Sequence, residues 1–204
     1  MKRRLSLGFM LSMCAPLNAL EVELYIHHYP VVIESGQSLD DAMLKAARSV
    51  PNLAASDLGH DHHAVSSYAA SVALQSLDHH YDAQHQRCVL TDLTLTLDGE
   101  MVLPMLKKGS IDEKAFAKEY AALKAHELHH QSLWAQSLRA YEAKFRGLSL
   151  EDDEGCGALF HEINQEMGKT LRQIEAVNLA YDCDSYGVAF DLSFCERHSD
   201  DEGD

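Results

Sequence analysis

The chain has 204 residues, of which 46% are hydrophobic, and its formal net charge is −15 at pH 7. This length and apolar content are typical of one compact domain. So large an excess of acidic groups should repel nucleic acid and anionic lipid surfaces, and we expect no nucleic acid partner. Residues 196–204 include Asp200-Asp201-Glu202-Gly203-Asp204, so we expect a solvated, disordered acidic tail there.

Residues 1–19 have the pattern of a secretory signal peptide. Lys2-Arg3-Arg4 gives a charged start, an apolar run follows, and the segment ends on a small residue, Ala19. The run is too short for an uncleaved membrane anchor, and Met13 stands where lipoprotein processing at Cys14 would require a small residue. We therefore expect a secreted or periplasmic protein with no stable membrane insertion after signal cleavage.

Signal cleavage removes Cys14 and leaves an even number of cysteines, which are Cys88, Cys156, Cys183 and Cys195. In an exported protein this number suggests two disulfides. Of the three possible pairings we favour Cys88–Cys156, which would join the sheet to the helices, and Cys183–Cys195, which would close a short C-terminal loop. A cysteine metal site is the less favoured alternative, because none of the spacings is Cys-x-x-Cys.

The first half of the mature chain consists mainly of predicted strands. Alternation of apolar and polar residues predicts four of them, at residues 21–33, 64–77, 88–97 and 101–104. The second is rich in Ala and Ser, which leaves a helix open as its alternative. Ser38 is a good N-cap for a short helix that Pro51 ends. Asp98-Gly99 is a hairpin signal between the last two strands.

In the second half the apolar period becomes helical. One helix is predicted from Ile111 to Arg146, with Gly147 at its end, and a second from Ala158 to about Tyr181. An acidic loop separates the two helices. We therefore expect an α+β fold, in which a small antiparallel or mixed sheet is followed by a long two-helix hairpin.

The first of these helices contains His126-Glu127-Leu128-His129-His130, the pattern His-Glu-x-x-His. Because residues i and i+4 lie one turn apart on the same helix face, His126 and His130 can bind one metal ion. Glu127 lies beside them, where a carboxylate can act as general base toward a metal-activated water. Zinc peptidases use this arrangement, so residues 20–195 are predicted to form a single zincin-like protease domain with Zn2+ as its cofactor. An exposed, histidine-rich helix face is the alternative.

A zinc site of this kind needs a third protein ligand. The metzincin continuation is excluded, because Leu133 and Gln136 occupy the positions of its glycine and its third histidine. In an antiparallel hairpin the motif would lie level with a stripe of the second helix that holds Glu175, Asn178 and Asp182. Either Asp182 or Glu175 is therefore a candidate third ligand.

Other polar side chains have more open roles. Tyr181 and Tyr186 are possible hydrogen-bond donors to a developing oxyanion. His129 and His161 are interpreted as outer or surface groups. The remaining histidines are interpreted as exposed polar residues, with a secondary metal site as their alternative; they are His27, His28, His60, His62, His63, His79, His80 and His85.

From about residue 22 to about residue 187 the chain resembles a family of bacterial secreted proteins classed as a domain of unknown function and described as predicted zinc-dependent proteases. Its landmarks occur in order: Tyr25 in an early strand, Cys88-Val89 leading to Leu103-Pro104, Phe116 and Tyr120 before His126-Glu127-x-x-His130, then Cys156, then Asn178-x-x-Tyr181-Asp182. The resemblance implies the α+β fold and zinc-dependent proteolysis.

The chain departs from that family after Asp182. The family's Tyr-Asp segment typically continues into Thr-x-His-Gly, whereas this chain reads Cys183-Asp184-Ser185-Tyr186-Gly187, without the histidine. If that histidine is a ligand or a proton shuttle in the family, Tyr186 or Asp182 must replace it here.

Two functions remain open at this point. The first is a secreted or periplasmic zinc metallopeptidase that hydrolyses peptide bonds of a peptide or protein substrate, with Glu127 as general base. The alternative is a non-catalytic periplasmic protein that binds or buffers metal ions, which the 13 histidines and the acidic composition favour.

Overall fold

The computed structural model describes residues 20–54, 65–108, 112–190 and 195. The predicted signal peptide and the acidic tail at residues 196–204 lie outside the described residues. The elements in chain order are β1 (Glu21–Val31), α1 (Leu39–Ala47), α2 (Pro51–Ala54), β2 (Ser67–Asp82), β3 (Arg87–Leu106), α3 (Glu113–Phe145), β4 (Ser149–Glu151) and α4 (Gly157–Phe190). The chain therefore has a mixed α and β fold with a small sheet, as predicted.

The strands in the described ranges form one mixed sheet with the order β1-β3-β2, and β4 pairs with the start of β3. β1 runs parallel to β3, with Glu21 opposite Thr96, whereas β2 runs antiparallel to it. The long central strand β3 alternates between buried and exposed residues, and its buried side chains include Leu95, Leu97, Met101 and Leu103. One face of β3 is therefore apolar and packs against the core.

The predicted hairpin at Asp98-Gly99 is wrong, because β3 continues through both residues as one strand. Gly99 has no positive φ angle, which the expected turn would require. A Cβ atom at this position would lie 2.8 Å from the Oη atom of Tyr68. Gly99 therefore leaves space for the ring of Tyr68 on the neighbouring strand. The hairpin that joins β2 to β3 has its turn at residues 83–86 instead.

Two other predictions change in detail. The segment rich in Ala and Ser is a strand and not a helix, and β2 extends beyond the predicted end to Asp82. Ser38 caps α1 as expected, since its side chain accepts a hydrogen bond from the backbone N–H of Asp41. Pro51 does not simply end that helix but begins the short helix α2, where its missing N–H has no cost.

The described side chains pack into two apolar clusters along α3. The first lies toward the C-terminal end of α3 and includes Leu95, Leu97, Leu138, Phe145, Leu159 and Ile174. The second lies toward its N-terminal end and includes Val31, Met43, Leu53, Met101, Leu103, Phe116 and Leu123. The residues from His126 to His130 fall between the two clusters, so apolar packing on both sides fixes the helix at the motif.

Helix α4 packs against α3. Tyr141 of α3 donates a hydrogen bond of 2.8 Å to the backbone carbonyl of Ile163, and further back along α3 the side chain of His130 contacts Asn178. These contacts advance in opposite directions along the two helices. The predicted loop between the helices contains the short strand β4, which pairs with β3.

Both favoured disulfides are present. Cys88–Cys156 joins β3 to the residue before α4, and Cys183–Cys195 closes the C-terminal segment. Disulfides persist in oxidising compartments, so these two fit an extracellular or periplasmic protein. None of the helices in the described ranges combines the length and the apolar character that crossing a bilayer requires.

Candidate metal centre

Three side chains from two helices meet in a compact triangle. The Nε2 atoms of His126 and His130 are 3.0 Å apart, and each is 3.0 Å from Oδ1 of Asp182. The histidines are one helical turn apart on α3, and Asp182 comes from α4. The structure therefore brings the predicted histidine pair together with one of the two candidate third ligands.

Burial differs among the three side chains. His126 and His130 are 8% and 7% exposed, because both lie on the face of α3 that is covered by the sheet and by α4. The side chain of Asp182 is 39% exposed. The triangle is thus enclosed on the histidine side and open to solvent beside Asp182.

The donor set and its spacing fit a zinc ion. In a tetrahedral site with ligand distances of about 2.0–2.1 Å, neighbouring ligand atoms are separated by about 3.3 Å. The observed triangle has sides of 3.0 Å, which is a small contraction of that arrangement. Two imidazole nitrogens and one carboxylate oxygen also match the ligands of catalytic zinc sites, which keep a fourth position open. These three residues form a group that could hold a metal ion.

The electrostatics of the triangle also favour a cation. Burial alone would raise the pKa of Asp182, but its hydrogen-bond contacts and charge interactions with His126 and His130 outweigh burial and lower this pKa to about 2. Burial acts to lower the pKa of His130, yet its contacts with Asp182 and Asn178 raise that pKa overall. Each of the three atoms that meet here can offer a lone pair. Lone pairs repel one another, so a proton or a metal ion must lie between the atoms.

A second layer of contacts holds His130. Its Nδ1 atom lies 2.6 Å from Oδ1 of Asn178, and the Nδ2 atom of the same amide donates to the backbone carbonyl of Ile174 at 2.7 Å. Sequence analysis placed Asn178 on the same helical stripe as Asp182 but assigned it no role. Its spacing of four positions from Asp182 was the one sequence feature that could have suggested a role.

Glu127 is buried beside the triangle, with 4% of its surface exposed. The hydroxyl of Ser66 donates a hydrogen bond of 2.5 Å to its Oε1 atom. Burial raises the pKa of Glu127, although the hydrogen bond from Ser66 and the two neighbouring histidines oppose this effect. Sequence reasoning missed Ser66, because it lies 61 positions before Glu127 and belongs to no motif.

Aromatic rings surround the histidines. The ring of Tyr181 stacks on His126 at 4.6 Å between centroids and also contacts His129 at 4.2 Å. The ring of Tyr68 is nearly parallel to that of His130 at 6.4 Å. Its Oη atom is buried and has no hydrogen-bond partner among the residues that the structure describes, and burial raises the pKa of Tyr68 to about 12.

The remaining predicted residues lie elsewhere. Glu175 is exposed on α4 and is not part of the triangle, and His161 is also exposed. Tyr186 lies in α4, but its side chain is outside the described part of the chain. The predicted role of Tyr181 as an oxyanion donor stays a prediction.

The other histidines do not assemble a second metal site within the described ranges. His28 contacts the hydroxyl of Tyr120, His79 packs edge-on against Phe160, and His85 pairs with Asp82. The predicted polar loop that contains His60, His62 and His63 lies outside the described residues.

Comparison with known proteins gives one family. The family described as "Bacterial protein of unknown function (DUF922)" matches residues 26–187. No curated protein and no solved structure matches the chain. The matched region extends from β1 into α4 and contains the three residues of the triangle as well as Glu127. The chain therefore belongs to the DUF922 family of bacterial proteins of unknown function.

Proposed function

We propose that this protein is a secreted or periplasmic zinc-dependent metallopeptidase. One observation carries the proposal: the carboxylate of Glu127 is buried beside a triangle of two histidines and one aspartate. A site that only stores a metal ion has no need of a further buried acid. A hydrolytic site needs one as a general base. The two disulfides support an oxidising compartment.

His126, His130 and Asp182 would hold the zinc ion, with α3 and α4 as the helical hairpin that supports them. When bound, zinc supplies a Lewis acid and lowers the pKa of water toward about 7. Asp182 would also compensate for the missing Thr-x-His-Gly histidine if that residue is a ligand in the family, since Asp182 lies beside both histidines of the triangle.

Glu127 provides the proton transfers. Its Oε1 atom accepts the hydrogen bond from Ser66, so Oε2 is the atom available to take a proton from the attacking water. The oxygen of that water then adds to the peptide carbonyl carbon. As the C–N bond breaks, the proton on Oε2 passes to the nitrogen of the leaving amine. The raised pKa of Glu127 makes the carboxyl a better base and helps this exchange.

The test begins with the metal content of the mature protein, measured for the wild type and for His126→Ala, Glu127→Gln and Glu175→Gln. We expect one zinc per wild-type chain, its loss in His126→Ala, and its retention in the other two variants. Hydrolysis of a mixed peptide library should fall by about 10²-fold or more in Glu127→Gln. Glu175→Gln removes an exposed carboxylate from α4 and is the matched control.

Two outcomes would contradict the proposal in different ways. Full hydrolysis by Glu127→Gln would remove Glu127 from the mechanism. One tightly bound zinc without any hydrolysis by the wild type would favour the metal-binding alternative, and several weakly bound ions that survive His126→Ala would favour a metal buffer.

A further inference from the structure

We propose that Asn178 is a positioning residue that fixes the tautomer and the ring orientation of His130 and so sets the metal affinity of the centre. The inference rests on the metal-binding part of the proposed function and is independent of any hydrolysis. Neither the sequence pattern nor the family assigns a role to this asparagine.

The amide of Asn178 is held from both ends, which decides its orientation. Its Nδ2 atom donates to the carbonyl of Ile174 one turn earlier in α4, at 2.7 Å. A carbonyl oxygen accepts but cannot donate, so the NH2 group must face Ile174. The Oδ1 atom is thereby directed at Nδ1 of His130, which lies 2.6 Å away.

This orientation determines where the proton of the neutral imidazole lies. Because Oδ1 of Asn178 can only accept, Nδ1 of His130 must carry the hydrogen. The lone pair of the ring is then on Nε2, the atom that lies 3.0 Å from both Oδ1 of Asp182 and Nε2 of His126. Only this tautomer presents a ligand atom to the centre of the triangle.

The spacing along the two helices supports the same assignment. His126 and His130 are four positions apart on α3, and Asn178 and Asp182 are four positions apart on α4. Each pair therefore lies on one face of its helix, one turn apart. On α4, Asp182 supplies a proposed metal ligand, and Asn178 accepts the hydrogen bond of His130, which is another proposed ligand.

Two substitutions separate this role from a purely structural one. Asn178→Leu removes both contacts of the amide in a side chain of similar size. Asn178→Asp keeps an acceptor for His130 but loses the donor to Ile174. If Asn178 acts only through its hydrogen bond to α4, the two variants should have the same zinc affinity. If it acts through His130, their zinc affinities should differ.

Zinc affinity, measured by competition with a chromogenic chelator, is the first readout. We expect Asn178→Leu to bind zinc about 10–100-fold more weakly than the wild type, and Asn178→Asp to bind it at least as tightly as the wild type. Asn164→Leu, at an exposed asparagine of α4, is the matched control and should bind like the wild type. Equal affinity of wild type and Asn178→Leu would overturn the proposal, as would equally weak binding by both Asn178 variants.

The tautomer itself is the second readout and needs neither metal nor substrate. Long-range proton–nitrogen NMR spectra of the metal-free protein, with His130→Gln to assign the signals, should show His130 protonated at Nδ1. A His130 ring whose Nδ1 carries no hydrogen in the wild type would overturn the proposal even if Asn178→Leu failed to fold. A wild type that binds zinc but hydrolyses nothing would contradict the peptidase proposal and leave this one intact.

Discussion

Glu142 is a buried carboxylate of α3 outside the metal centre, with 3% of its surface exposed. Its Oε1 atom accepts a hydrogen bond of 2.8 Å from the backbone N–H of Leu95. Burial raises the pKa of this carboxyl above its ordinary value of 4.5, although hydrogen bonds from the backbone N–H groups of Leu95 and Leu20 and the charge of Arg146 act in the opposite direction. Glu142→Gln keeps the acceptor but cannot ionise, so we predict that it changes how stability depends on pH.

The sign follows from proton binding. The folded protein binds this proton more tightly than the unfolded chain, so its stability falls as the pH rises from the ordinary pKa through the raised one. Below the ordinary value both proteins carry a neutral group, and their free energies of unfolding should agree within about 1 kcal/mol. Above the raised pKa, each tenfold difference in proton affinity between the two states lowers the stability of the wild type by about 1.4 kcal/mol relative to Glu142→Gln.

Urea unfolding of the metal-free proteins between about pH 4 and about pH 8 measures this difference. Trp134 is the only tryptophan of the chain and packs against the core cluster that contains Leu138, so its fluorescence reports the transition. Subtraction of the Glu142→Gln curve removes the contributions of other titrating groups. Glu142→Ala should lose about 1–3 kcal/mol more than Glu142→Gln, because the N–H of Leu95 then lacks an acceptor. A wild type that gains stability relative to Glu142→Gln as the pH rises would refute the reasoning.

Two further predictions concern stability. Tyr68→Phe removes a buried hydroxyl without a partner among the described residues, so thermal unfolding should show unchanged or greater stability, by up to about 1–3 kcal/mol; a clear loss would mean that the hydroxyl is bonded. Replacing Cys88 and Cys156 with alanine removes a disulfide that spans 68 positions, and replacing Cys183 and Cys195 removes one that spans 12. From the chain-entropy relation, the free energy of unfolding should fall by about 4–5 kcal/mol in the first variant and by about 3 kcal/mol in the second. A larger loss in the second variant, measured by urea unfolding, would contradict this prediction.

Periodicity explains how much of the site was readable from the sequence. An i, i+4 spacing fixes two side chains on one helix face wherever the helix lies, so His126 and His130 could be paired from the sequence. The same spacing rule applied to α4 placed Glu175 and Asp182 on one helix face, which left these two residues as candidates for the third ligand. Of these two, the structure brings only Asp182 into the triangle. The choice depended on the rotation of α4 about its axis, which no pattern within one helix specifies.

Contacts between segments that are far apart in the sequence could not be read in the same way. Ser66 reaches Glu127 only because β2 pairs along β3, and the sequence held no signal for that register. Asp98-Gly99 illustrates the opposite error, since a strong local turn signal was overridden by tertiary packing. Its glycine is required by the ring of Tyr68 on the adjacent strand and not by a turn.

The position of the ligands on two helices links metal binding to the fold. His126 and His130 belong to α3, which is fixed by apolar clusters on both sides of the motif, whereas Asp182 belongs to α4. An ion held by all three residues would therefore join the two helices at this point. Since metal binding to the native state adds its free energy to stability, loss of Asp182 should weaken the docking of α4 as well as the ion. The proposed centre would thus link the helix pair and supply the proposed chemistry through the same three atoms.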